Sequence, residues 1–134
     1  MTHTLTLSIS PDTLAICRLD ASAPIPGWAG NFFSITRTRD ELSIVCPQRD
    51  VPAGIQCERD WRALKVAGPL DFTLTGILVG LAAPLAQAGI SIFAISTYDT
   101  DYVLVKEAKL ESAVAVLSQA GHQVRWENPP QTTQ

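Results

Sequence analysis

The sequence predicts an α+β fold in which antiparallel sheet dominates and helices cover one face of it. Three observations point there. Short β-like runs occur in both halves of the 134 residues. Helical periodicity is confined to two segments of the second half, and Gly-, Pro- and Asp-rich turns separate the runs.

Taken in order, Leu5–Ile9 and Leu14–Leu19 flank Ser10-Pro11-Asp12, where proline presets φ and the aspartate can bond its own backbone, so the pair predicts a hairpin. Met1-Thr2-His3-Thr4 puts no basic cluster ahead of an apolar run; this start reads as strand, not as a signal peptide. Pro24 and Pro26 keep the stretch from Ala23 to Trp28 out of regular strand, though it could hold one short helical turn. Phe32–Thr36 and Leu42–Cys46, joined by the charged turn Arg37–Glu41, predict a second hairpin. Strand character returns from Trp61 to Val66, with a boundary near Asp60.

Gly68-Pro69 ends that strand, and Asp71 or Thr73 can cap a helix beginning around Thr75. Ile77, Leu78, Leu81, Leu85 and Ala88 recur at roughly 3.6-residue spacing and define its buried face. Gly89 should stop it, and Pro84 inside it removes one backbone bond and should kink it. Ile90–Ser96 and Tyr102–Val105, bridged by Thr97–Asp101, predict a third hairpin. Leu110, Ala113, Val114 and Leu117 mark a second helix ended by Gly121, and Gln123–Trp126 is a final strand. From Trp61 to Trp126 the order is therefore strand, helix, strand, strand, helix, strand. Right-handed connections close that order into a four-stranded antiparallel sheet with both helices on one face, a ferredoxin-like layer. Its other face must be covered by the β-rich first half or by another subunit.

Composition removes several function classes. A net charge of −3, from 10 Lys and Arg against 13 Asp and Glu, supplies no basic field for nucleic acid or an anionic membrane. The most apolar stretch, Gly76–Ala86, is about half of the roughly 20 residues needed to span a bilayer. Cys17, Cys46 and Cys57 are odd in number and lack short ligand spacing, which disfavours a zinc site or a closed disulfide framework. Cys17 and Cys46 lie in apolar strands as small hydrophobes of raised pKa, and Cys57 has the acidic neighbours Glu58 and Asp60. His3 and His122 have no nucleophile motif around them, and Gly76 with Gly80 forms no phosphate loop. Asp99 and Asp101 share one side of a strand but lack a third metal ligand. The expectation is a cytoplasmic protein that is not an enzyme and uses no cofactor.

The runs Gly68-Pro69-Leu70-Asp71-Phe72 and Thr75-Gly76-Ile77-Leu78, with Ile90 through Val105 and its STYDTDYVLV stretch, resemble the small bacterial ACT-domain proteins. Cys17-Arg18-Leu19, Pro24-Ile25-Pro26 and Glu41-Leu42-Ser43 extend the resemblance into the first half. That family is similar to the cytosolic arginine sensors of the TOR pathway and to aspartate kinase regulatory domains. The resemblance implies two ACT-like lobes, a degenerate one over 1–60 and an ACT domain over 61–127, before a flexible tail over 128–134. It also implies an amino acid bound between ACT domains of two copies, gripped by Thr97, Tyr98 and Asp101, with Gly76 and Ile77 at the helix start. Ser91 and Ile92 match the contacts of the facing domain. Where the arginine sensors carry acids just before the glycine, this chain has Thr73 and Leu74, so a guanidinium is less well compensated and a neutral or smaller amino acid fits equally.

The physics of such a site stands beside the resemblance. A helix N-terminus offers free N–H groups and about half a positive charge to an α-carboxylate, and a glycine there leaves room for it. Asp101, Thr97 and the Tyr98 carbonyl would face the ammonium. Duller roles compete: Asp101 suits an ion pair with a neighbouring cation or a turn cap, Gly76 suits close helix–sheet packing, Asp71 and Thr75 suit a helix cap, and Tyr98, Tyr102 and the three tryptophans suit packing. The expected function is an amino-acid-binding sensor, a homodimer acting on a regulated partner protein. The alternative is a structural interaction module with a vestigial pocket.

Overall fold

The computed structural model describes residues 4–28, 30–68 and 76–127. Its strands and helices are β1 (Thr6–Leu19), β2 (Ser34–Arg37), β3 (Leu42–Pro47), β4 (Cys57–Val66), α1 (Ile77–Gln87), β5 (Ile92–Ser96), β6 (Asp101–Lys106), α2 (Leu110–Gln119) and β7 (Gln123–Trp126). Two compact units emerge: Met1–Pro11 with Arg62–Gln134, and Asp12–Trp61. The expected tail over 128–134 lies outside the described residues, as do His3, Asp71, Thr73, Leu74 and Thr75.

The first predicted hairpin does not form: Leu5–Ile9 and Leu14–Leu19 belong to one strand, β1, which runs straight through Pro11. Its residues Thr6–Ile9 pair in parallel with β7, and Leu14–Leu19 pair antiparallel with β3. Pro11 falls between the two partners, where a missing N–H interrupts neither ladder. The neighbouring Ser10 carbonyl accepts a 2.8 Å hydrogen bond from Arg62 Nη2 instead.

In the two-helix unit the strands run β7-β1-β4-β6-β5. The expected four-stranded antiparallel sheet is thus corrected: β1 inserts between the last strand and β4, and its pairing with β7 is parallel. Residues 4–11 group with the two-helix unit. Leu7 and Ile9, Leu64 and Val66, and Val103 and Val105 occupy alternate positions on β1, β4 and β6, so one face carries them all. Leu81 and Leu85 of α1 and Leu110, Ala113 and Leu117 of α2 close this core, with Leu78 and Val114 packed against it; Ala88, predicted on the same face, is exposed because it falls at the C-cap, past the last turn of α1. Gly89 (φ 74) and Gly121 (φ 98) end the helices.

His122 repairs a defect that the sequence creates in α1. Proline has no N–H, so Pro84 cannot donate to the Gly80 carbonyl one turn back. The buried His122 ring fills the role: Leu5 N–H donates to Nδ1 at 3.1 Å, which leaves the proton on Nε2, 3.3 Å from Gly80 O.

The β unit holds the later part of β1, β2, β3 and the start of β4. The predicted hairpin β2–β3 is present, with Arg37 opposite Leu42. Thr38 closes it, its hydroxyl accepting from the N–H groups of Asp40 and Glu41. Ala15, Cys17, Leu42, Ile44 and Cys46 form a second core, with Trp28 and Phe33 packed against it. Strand β4 begins four residues ahead of the predicted Trp61 start and includes Asp60 at φ 66. That left-handed residue is held by the Gln48 side chain, whose oxygen accepts from Asp60 N–H at 2.6 Å while its nitrogen donates to the carboxylate at 3.0 Å. Among the described residues no helix is long and apolar enough to cross a membrane.

Candidate ligand-binding site

Strands β5 and β6 pair from Ile92 opposite Val105 to Ser96 opposite Asp101, leaving Thr97–Thr100 as the connecting turn. Thr97 N–H and Thr97 Oγ1 both donate to Thr100 O, at 2.8 and 3.0 Å. Thr100 N–H donates to Thr97 Oγ1 at 3.3 Å, and the buried Thr100 hydroxyl donates to Val66 O at 2.6 Å. The turn is therefore fastened to the end of β4.

Between them lies a cavity of about 230 Å³ lined by Lys65, Gly68, Thr97, Asp99, Thr100 and Tyr102. The Lys65 ammonium stands 6.0 Å from the centre of the Tyr102 ring. A cation, a carboxylate, two threonines and an aromatic ring thus converge on a volume below the roughly 300–1,000 Å³ of drug-sized ligand sites. Lys65, Thr97 and Asp99 are exposed, so their polar groups line an open surface pocket above the buried Thr100.

Of the residues expected to bind ligand, Thr97 lines this cavity. Tyr98 is 81% exposed and lies outside it. The half-buried Asp101 accepts a 2.6 Å hydrogen bond from Ser96 Oγ across the strand pair, a turn-bracing role. Ile92 packs against the two-helix core, Ser91 is exposed, and Ile77, the first residue of α1, is buried. Gly76 precedes α1 at φ 79, ψ 0, and among the described residues no atom beyond its chain neighbours lies within 4 Å of where a Cβ would stand. Its positive φ favours glycine there. The expected caps Asp71 and Thr75 lie outside the described residues. Sequence reading missed Lys65, hidden as the polar alternate of an apolar strand, and weighed Asp99 only as a metal ligand. Among the described residues no cluster of three or more His, Cys, Asp or Glu side chains could hold a metal ion.

A larger groove of about 500 Å³ runs between α2 and β7, with Glu107 and Glu111 as its acidic residues and Leu110, Val114, Val124 and the exposed Trp126 among its apolar ones. Its Glu107 is paired with Arg62 at 3.5 Å, and the same guanidinium lies 5.4 Å from the centre of the Trp126 ring.

A family model described as ACT domain matches residues 56–119, and a second one, described as an N-terminal domain, matches residues 12–54. The solved structure of protein Atu0741 from Agrobacterium tumefaciens is 39% identical, covers 98% of this chain and 100% of its own, and superposes with a TM-score of 0.90. The chain belongs to the ACT-domain family. The sequence is also 33% identical over 105 residues to the Homo sapiens protein named cytosolic arginine sensor for mTORC1 subunit 1, covering 72% of this chain and 32% of that protein. The chain thus spans about a third of the length of that sensor. The regulatory subunit of aspartate kinase from Thermus flavus, 12% identical with a TM-score of 0.63 over 88% of this chain and 99% of its own, shares the ACT fold.

Proposed function

We propose that this ACT-domain protein is a cytoplasmic regulatory sensor that binds a free amino acid and catalyses no reaction. The observation that carries the proposal is the small cavity at the β5–β6 turn, where Lys65 and Asp99 offer opposite charges beside threonine hydroxyls. An α-amino acid needs both poles compensated when it leaves water, and a site with one lysine and one aspartate does this without net charge. The similarity to a protein named as an arginine sensor supports the ligand class. Arginine itself is disfavoured by Thr73 and Leu74, which add no acid for a guanidinium.

In this proposal the protein is a homodimer. Strand β5 ends the strand order of its unit among the described residues and carries the half-buried Phe93 and Ile95, a row suited to a second copy. A two-fold seam there repeats the ligand site twice, and Ser91 and Ile92 lie on the strand that reaches it. Binding at a seam stabilises the assembled form, which a regulated partner protein then reads. A specific observation favours the competing role of an interaction module: Asp101 is already engaged by Ser96.

Calorimetry and thermal-shift measurements with the twenty free amino acids separate the two. The sensor requires a saturable response that Asp99→Asn and Lys65→Met abolish. Dimerisation with no response to any amino acid assigns the interaction module.

A further inference from the structure

We propose that Cys57 is an oxidation site and Cys17 its resolving thiol, so that a peroxide converts the reduced chain into one cross-linked between β1 and β4 of the β unit. Three thiols meet there: Cys17 and Cys46 lie in one apolar cluster, and Cys57 packs against it. Their accessibility differs. Cys17 and Cys46 are buried, whereas Cys57 is partly exposed.

The strand register singles out one pair. Arg18 N–H donates to Gln56 O at 3.0 Å, which sets Cys17 opposite Cys57 on neighbouring antiparallel strands. The adjoining position in such a ladder is a non-hydrogen-bonded pair, with Cα atoms about 4.5 Å apart. That lies within the roughly 4.4–6.8 Å a disulfide spans, so closure needs little backbone movement. Cys46 pairs with Ala15, a diagonal step from Cys17 on the far side, and is farther from the surface.

Charge selects the attacking sulfur. Sequence neighbours Glu58 and Asp60 suggested an acidic setting for Cys57, but Arg59 Nη1 donates to its Sγ at 3.5 Å. Positive charge therefore stands beside the sulfur that must carry negative charge as a nucleophile. Burial, reinforced by the neighbouring thiols, pushes Cys17 up to about 12, so it stays protonated and cannot attack first.

The chemistry balances with hydrogen peroxide as oxidant. The Cys57 sulfur attacks one peroxide oxygen, forming S–O as O–O breaks, and yields a sulfenic acid and one water. Cys17 sulfur then attacks the Cys57 sulfur; S–S forms, S–O breaks, and the Cys17 proton leaves with the hydroxyl as a second water. Two thiols are oxidised and the peroxide is reduced.

The test treats the folded full chain with hydrogen peroxide and maps its peptides without reduction. The expected product is a monomer lighter by two hydrogens with a Cys17–Cys57 link, formed equally in Cys46→Ser, lost in Cys57→Ser, and formed severalfold more slowly in Arg59→Ala. In Cys17→Ser a dimedone probe should trap a sulfenic acid on Cys57. A Cys17–Cys46 link with Cys57 still free, a Cys57–Cys57 link between chains, or oxidation seen only in urea would overturn the proposal. Because Cys57 is partly exposed, Cys57→Ser remains decisive even if the buried Cys17 variant fails to fold.

Discussion

Replacing His122 with phenylalanine should expose the debt left by Pro84. The substitution keeps an aromatic ring in the buried site but withdraws the acceptor for Leu5 N–H and the donor for Gly80 O, at 3.1 and 3.3 Å. An unmet buried polar group costs about 1–3 kcal/mol, and the longer Nε2 contact belongs at the weak end, so the pair sums to roughly 2–4 kcal/mol. For a chain of this size that lowers Tm by roughly 6–15 °C. The second arm is Pro84→Ala, which returns an amide hydrogen to the position that normally serves Gly80 O. In that background the cost of His122→Phe should shrink by roughly 1 kcal/mol, because only Leu5 N–H is then orphaned. Thermal and urea unfolding followed by circular dichroism on the four proteins gives the cycle. A His122→Phe cost below about 0.5 kcal/mol, or strict additivity with Pro84→Ala, would refute the repair of α1 by the histidine.

Three further outcomes follow from the geometry. Thr100→Val keeps the shape of the side chain but strands the Val66 carbonyl, and should cost about 1–3 kcal/mol in urea unfolding while weakening any amino-acid response. Unchanged stability would separate the β5–β6 turn from β4. Leu85→Ala at 0% exposure should cost about 2–5 kcal/mol by the same assay, and a smaller loss would mean that α1 does not seal the two-helix core. The Cys17 thiol, pushed up to about 12 by burial, is favoured in the folded state as the neutral form. Its stabilisation is complete below the unfolded thiol value of about 8.5 and is lost as pH rises from there through about 12. Urea midpoints should fall between pH 8 and pH 10, and Cys17→Ala should flatten that slope.

Period and punctuation made much of the fold readable. Ile77, Leu81 and Leu85 recur at helical spacing because one face of α1 must leave water, and Gly89 ends the helix because only glycine adopts its left-handed turn cheaply. The β2–β3 and β5–β6 pairs were equally visible, since both flank polar turns. Pro11 misled for a nonlocal reason: proline signals a turn unless the sheet offers a place where its N–H is not needed, and that place exists only because β1 changes partner from β7 to β3. The insertion of β1 beside β7 joins residues more than a hundred positions apart, beyond the reach of any window of sequence.

The candidate site divides in the same manner. Thr97 was legible, as part of a polar turn between two apolar strands, and it lines the cavity. Lys65 was not, because its position on β4 says only that it alternates away from the core; that it stands beside Tyr102 and shares a cavity with Asp99 follows from strand register. The choice of Asp99 over Asp101 rests on a hydroxyl contributed by the opposite strand, Ser96. By itself the sequence determined which residues seek burial and where the chain turns, because both depend on the chemistry of near neighbours. Only the tertiary structure decided which strand lies beside which, and hence which charges share a cavity and which thiols can meet. Those outcomes depend on long-range register, which leaves no local mark.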